Sequence, residues 1–123
     1  MTSRVERGQA TVELAISMIL LTVLFLLLLQ VGLVARDQVL VTQAAREGAR
    51  AAAVDPASGA AAAAAARATG LSPSRIAIFT GPRPDQAGMV TVTVRYKSRI
   101  VLPVANRVLL EPELRARAAM RVE

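Results

Sequence analysis

The stretch Arg7-Gly8-Gln9-Ala10-Thr11-Val12-Glu13, with the apolar run at residues 14–35 behind it, decides how this chain is read. The run carries no charge over about 22 residues. As a helix rising ~1.5 Å per residue it is ~33 Å long, enough to cross a ~30 Å hydrocarbon core. Its few polar side chains are Ser17, Thr22 and Gln30. A helix hides such groups by bonding them to its own backbone or to a neighbouring helix. Glu13 is the exception, because an ionised carboxylate at the lip of a membrane helix is costly and calls for a partner.

Outward from that stretch, length and composition narrow the classes. The chain has 123 residues, so one small domain is expected, with about 88 residues left once the leader and the apolar run are set aside. A core of that size is marginal. Aromatics are limited to Phe25, Phe79 and Tyr96, so the core is built from Val, Ile, Leu, Ala and Met. With no Cys and no His, disulfides, Cys/His metal sites, thiol nucleophiles and imidazole bases are excluded. The net charge of +6 is carried almost wholly by Arg and is spread along the chain. Its densest local group is Arg95, Lys97 and Arg99. Spread basic charge fits a solvated face near anionic headgroups better than a nucleic-acid site.

A Gly followed five residues later by Glu, and then at once by a membrane-length apolar helix, resembles the processing site of type IV prepilins. The longer string Gly8-Gln9-Ala10-Thr11-Val12-Glu13-Leu14-Ala15 resembles the start of the TadE-like family, minor pilins of tight-adherence pilus systems. The likeness resumes in Gln43-Ala44-Ala45-Arg46-Glu47-Gly48-Ala49-Arg50-Ala51-Ala52 and again in Ala118-Ala119-Met120-Arg121-Val122-Glu123. It covers roughly the first half of the chain plus the tail. It implies a leader at residues 1–8 that a membrane prepilin peptidase removes between Gly8 and Gln9. It implies that Glu13 pairs with the new amine of Gln9, in its own subunit or the next, and that Gln9 is open to methylation. The partners it implies are the peptidase, other pilin-like subunits, the assembly platform and membrane lipid. Two departures stand out. Gln9 takes the place where many type IV pilins carry an aromatic or Met, and the span lacks the Pro often seen inside it.

Residues 1–8 read as a cytoplasmic leader and residues 9–35 as the transmembrane helix. An ordinary secretory signal fits poorly, since the apolar run exceeds an h-region of about 7–15 residues. Charge does not set the orientation: Arg4 and Arg7 lie on one flank, Arg36, Arg46 and Arg50 on the other. An inside N-terminus and an extracytoplasmic head, in the inner membrane of a bacterium or in surface pili, are what the resemblance implies.

The helix is expected to continue outside the bilayer over residues 36–54, where Gly48 is the only Gly and Pro is absent. Ala44, Gly48 and Ala52 form a small-residue ridge that admits close backbone approach. That ridge packs on the protein's own sheet or on another subunit; both readings stand. Asp55-Pro56 ends the helix, because a Pro disfavours the α region in the residue before it. Residues 55–123 then form a small α+β head. An Ala-rich second helix starts at Ser58 or Gly59, with Ser58 a possible cap, and runs to about Thr69, with Gly70 placed to stop it. Residues 75–80 read as a strand and residues 81–88 as a loop. Val90, Val92, Val94 and Tyr96 alternate with Thr91, Thr93, Arg95 and Lys97, the clearest strand signal in the chain. The same phase continues to Ile100 and Leu102, so the strand is expected to run on with a bend until Pro103. Residues 104–110 suit a single helical turn. Leu114, Ala116, Ala118, Met120 and Val122 alternate with mostly basic residues, which reads as a third strand rather than a helix. The fold class is therefore α+β: a long N-terminal helix, a short Ala-rich helix and a three-stranded antiparallel sheet covered on one face.

No active site is legible. Glu111 and Glu113 flank Pro112 without partner groups, and nothing activates a Ser or Thr. The chain reads as a non-enzyme without cofactor or metal. Three functions remain: a minor pilin of a tight-adherence system acting in filament biogenesis and adhesion, an unprocessed single-pass anchor with a basic interaction module at Arg95, Lys97 and Arg99, and, least favoured, a DNA-uptake pseudopilin.

Overall fold

A computed structural model of the chain describes residues 2–57, 59–82, 88–101 and 112–122, with side chains from residue 8 onward. One helix, α1 (Thr2–Val54), runs unbroken for 53 residues, or ~80 Å. The head follows as α2 (Ala60–Thr69), β1 (Ile76–Thr80), β2 (Met89–Lys97) and β3 (Glu113–Arg121). Residues 14–29 of α1 lie bare. Leu20 and Phe25 are each 66% exposed, and Thr22 returns its hydroxyl to the Met18 carbonyl at 2.8 Å.

The helix ends where the sequence requires. Pro56 stops it, Asp55 N still donates to Ala51 O at 2.8 Å, and the Asp55 carboxylate accepts from Ala57 N at 2.8 Å, a tight turn out of the helix. Gly59 stands at the N-cap of α2 and supplies no side-chain cap; Ser58 lies outside the described residues. Gly70 closes α2 in the left-handed conformation at φ 61°, which a side chain resists.

The sheet has the order β1-β2-β3, antiparallel throughout. Ile76 pairs with Tyr96 and Tyr96 with Leu114; Ile78 pairs with Val94 and Val94 with Ala116. This register sends Val90, Val92, Val94 and Tyr96 to the covered face and Thr91, Thr93, Arg95 and Arg117 to the other. Period-two side-chain alternation turns that sequence pattern directly into an inside and an outside. The core is a thin slab of Val and Ala: Val41, Ala44, Ala45 and Ala49 from α1, Ala61 and Ala65 from α2, and the β2 valines.

The second strand is shorter than its sequence phase suggests. It stops at Lys97, and residues 98–101 leave the sheet for the helix. Buried Ser98 donates its hydroxyl to Asp37 Oδ2 at 2.6 Å, and Gln30 grips the next residues. Those contacts draw the backbone away, so Ile100 extends no strand. Leu102, Pro103, the turn expected at residues 104–110 and Glu111 lie outside the described residues, as does the loop centre at 83–87.

Candidate functional site

Three places on the stalk stand out, two of them built from residues singled out by the sequence. The first is near its N-terminus. Gly8, Gln9, Val12, Glu13, Ile16 and Ser17 line one shallow strip on an uncovered helix face. Helical periodicity produces that strip, since residues four apart stack on one side. A Cβ built on Gly8 would meet nothing within 4 Å, so the fold does not demand a glycine there. Glu13 has no ion-pair partner among the described residues.

The second is the small-residue ridge. Ala44 and Gly48 are buried and Ala52 is 6% exposed, all inside the head. A Cβ on Gly48 would stand 3.2 Å from Ala61 O, 3.2 Å from Val92 Cγ1 and 3.4 Å from Ala65 Cβ. Gly48 is thus where α1, α2 and β2 come closest, and the structure places the ridge against the chain's own head. The opposite face of α1, with Val39, Gln43, Arg46, Glu47 and Arg50, is exposed.

The third place is the neck, which the sequence did not flag. Gln30 Nε2 donates to Arg99 O at 3.0 Å, and Val101 N donates to Gln30 Oε1 at 2.8 Å. The Gln30 amide thereby replaces a strand partner for residues 99–101. Higher up, Gln38 Nε2 donates to Arg115 O at 3.3 Å and Asp37 accepts from Ser98. The contacts join residues 61 to 77 apart in sequence, so no local pattern announces them. The only sequence signal was a Gln inside an apolar run.

The neck also sets a depth scale. The head first grips the apolar helix at Gln30, on one face, while Val31, Gly32 and Ala35 stay exposed. Measured back from Gln30, a ~30 Å hydrocarbon layer at ~1.5 Å per residue ends near residue 10. A hydrocarbon layer placed so would have Glu13 ~4–5 Å inside its far boundary, within reach of the interface by a side chain that bends outward.

The linear group Arg95, Lys97 and Arg99 is divided by the fold. Arg95 lies on the outer sheet face, 5.2 Å over the Phe79 ring and 3.8 Å from Glu113, which Arg115 approaches at 3.0 Å. Lys97 shares that face, and Arg99 sits at the neck beside α1. No group of three or more acidic side chains among the described residues could hold a metal ion.

Two further facts bear on identity. The helix from Gly8 to Val54 contains an 18-residue window of mean hydropathy 2.7, none of it buried, which suggests membrane anchoring. A family model described as TadE-like protein matches residues 8–50, from the small residue before Gln9 to Arg50 on the exposed side of α1. The match supports assignment to the TadE-like family, which suggests a minor-pilin-like protein associated with tight-adherence pili. No curated protein and no solved structure matches the chain.

Proposed function

From TadE-like family membership as premise, we propose that this chain is a minor pilin, processed between Gly8 and Gln9 by a prepilin peptidase and acting in pilus biogenesis and adhesion. It works as a structural, non-enzymatic subunit. It crosses the bacterial inner membrane once, with its N-terminus in the cytoplasm and its head outside, and it contacts other pilin-like subunits and the assembly platform.

The observation that carries this reading is Glu13 on the same helical strip as Gly8 and Gln9, one turn above the cut, on a helix with nothing packed against it there. Before cleavage the helix begins at Thr2, and Glu13 lies deep inside it. Cleavage moves the helix start to residue 9. The backbone N–H groups of the new first turn lose their carbonyl partners, and the positive end of the helix dipole arrives beside Glu13. Helical side chains lean toward the N-terminus, so the carboxylate points back toward the new α-amine. In a medium of low dielectric that pair is held far more firmly than either charge alone, and an amine from an adjacent subunit serves equally well. Subunit register follows from that choice. Gly8, with no side chain, lets the substrate strand lie extended in the peptidase.

Mass spectrometry of the mature N-terminus, in cells with and without the peptidase, tests the processing step. A chain beginning at Gln9 only when the peptidase is present is the expected result. A chain retaining residues 1–8 in peptidase-positive cells would overturn it.

A second reading draws on the outer sheet face, which carries Arg95, Lys97, Arg115, Arg117 and Arg121 against Glu113. An unprocessed anchor using that face predicts normal piliation with Gly8→Ala and Glu13→Ala.

A further inference from the structure

At the foot of the head a cleft opens between α1 and the segment leaving β2. Leu33, Arg36 and Asp37 form one wall, Arg99 and Val101 the other, with Ser72 behind. Both arginines are exposed, and neither has an ion-pair partner among the described residues. Asp37 offsets part of their positive charge and repels an anion, although one of its oxygens already accepts the Ser98 hydroxyl at 2.6 Å. Leu33 is half-buried and Val101 is 46% exposed, so the cleft has apolar lips.

Its height matters most. The Arg99 carbonyl is held by Gln30 at 3.0 Å, at the level where the head first grips the apolar helix. Arg36 lies six residues on from Gln30, ~9 Å further along α1. A headgroup layer is roughly 5–7 Å deep on each side of the hydrocarbon. A long Arg side chain leaning toward the helix N-terminus brings its guanidinium down into that layer while its methylenes cover Leu33. Guanidinium groups bind phosphate oxygens in pairs of parallel hydrogen bonds.

We propose that this cleft binds the phosphate of an anionic phospholipid in the leaflet beneath the head, with Arg36 and Arg99 as the phosphate ligands and Leu33 and Val101 against the upper acyl chain. The bound lipid fixes the head's height and tilt on the membrane, so that the long stalk stands at one depth. The inference rests on the membrane reading of α1 and is independent of peptidase processing.

The test uses the full chain, which has no tryptophan of its own. Val101→Trp places a fluorophore at the cleft. The protein is reconstituted in phosphatidylcholine vesicles containing either brominated phosphatidylcholine or brominated phosphatidylglycerol at equal mole fraction, with bromines high on the acyl chain. Each cation near an anionic surface enriches anionic lipid by roughly fivefold. Phosphatidylglycerol should therefore quench several-fold more strongly at low salt, and the excess should shrink as salt rises. Arg36→Gln with Arg99→Gln should bring the two lipids to parity, and Arg36→Lys with Arg99→Lys should restore the preference. Equal quenching by both lipids in a chain that floats with the vesicles would overturn the proposal. So would a preference unchanged by the double Gln variant. A chain that fails to float would overturn the membrane reading beneath it.

Discussion

Replacing Gly48 with Leu tests the packing on which the head is built. The glycine occupies the closest point between three elements: an added Cβ stands 3.2 Å from the Ala61 carbonyl oxygen and 3.2 Å from a Val92 methyl. Backbone oxygen on one side and a fully buried valine on the other leave little room to give. Gly48→Ala sets two effects against each other. Alanine gains about 1 kcal/mol over glycine in a helix interior, and overpacking by one methyl costs about the same. That variant should stay within about 1 kcal/mol of the native protein. Leu brings three more carbons with nowhere to go, and the crowding should cost about 3 kcal/mol. For a head of this size that is a fall in Tm of roughly 12–24 °C. The assay is near-ultraviolet circular dichroism of the full chain in detergent micelles, because Tyr96 is the only tyrosine, there is no tryptophan, and the ring is buried in the head. A control is Gly32→Ala, where a Cβ meets nothing within 4 Å and no loss is expected. A Gly48→Leu head that melts with the native one would refute the packing of α2 and β2 on α1.

Ser98→Ala removes the hydroxyl that caps Asp37 and should cost about 1–2 kcal/mol; a double-mutant cycle with Asp37→Ala should show the two losses overlapping, and simple additivity would argue against the bond. Gln30→Ala releases Arg99 O and Val101 N, so amide exchange at Val101 should accelerate by about thirtyfold, at about 1 kcal/mol for each of the lost bonds; unchanged protection would mean that the neck is held elsewhere. Gly70→Ala puts a Cβ on a residue at φ 61° and should lower head stability by about 1–2 kcal/mol in chemical denaturation; a neutral outcome would show that α2 ends differently.

Much of this architecture was legible because its signals are local. The alternation from Val90 to Tyr96 fixes which face of β2 is buried, Asp55-Pro56 ends α1, and Gly70 supplies the left-handed residue that ends α2. The end of β2 was not legible: alternation alone carries the strand past Lys97, and the contacts that stop it, Ser98 with Asp37 and Val101 with Gln30, join positions 61 and 71 apart. Gln30 itself reads in sequence as a polar residue tucked into a membrane helix, whereas it is the first rung between stalk and head. The ridge at Ala44, Gly48 and Ala52 shows a limit of another kind. Small residues announce that something comes close, and only the fold shows that it is α2 and β2. At the N-terminal strip the spacing from Gly8 to Glu13 carries the same information in sequence and structure, because the helix there is exposed and packs on no other part of the chain among the described residues.

In the proposed function Glu13 meets an amine that proteolysis would create. Cells carrying Glu13→Gln in place of the native chain, assayed for both the mature N-terminus and the amount of assembled surface fibre, test this most directly. The expected result is cleavage before Gln9 as usual, with fibre yield down by about a hundredfold or more, since breaking a buried charge pair costs roughly 3–5 kcal/mol. Normal fibres from fully processed Glu13→Gln protein would contradict the pairing.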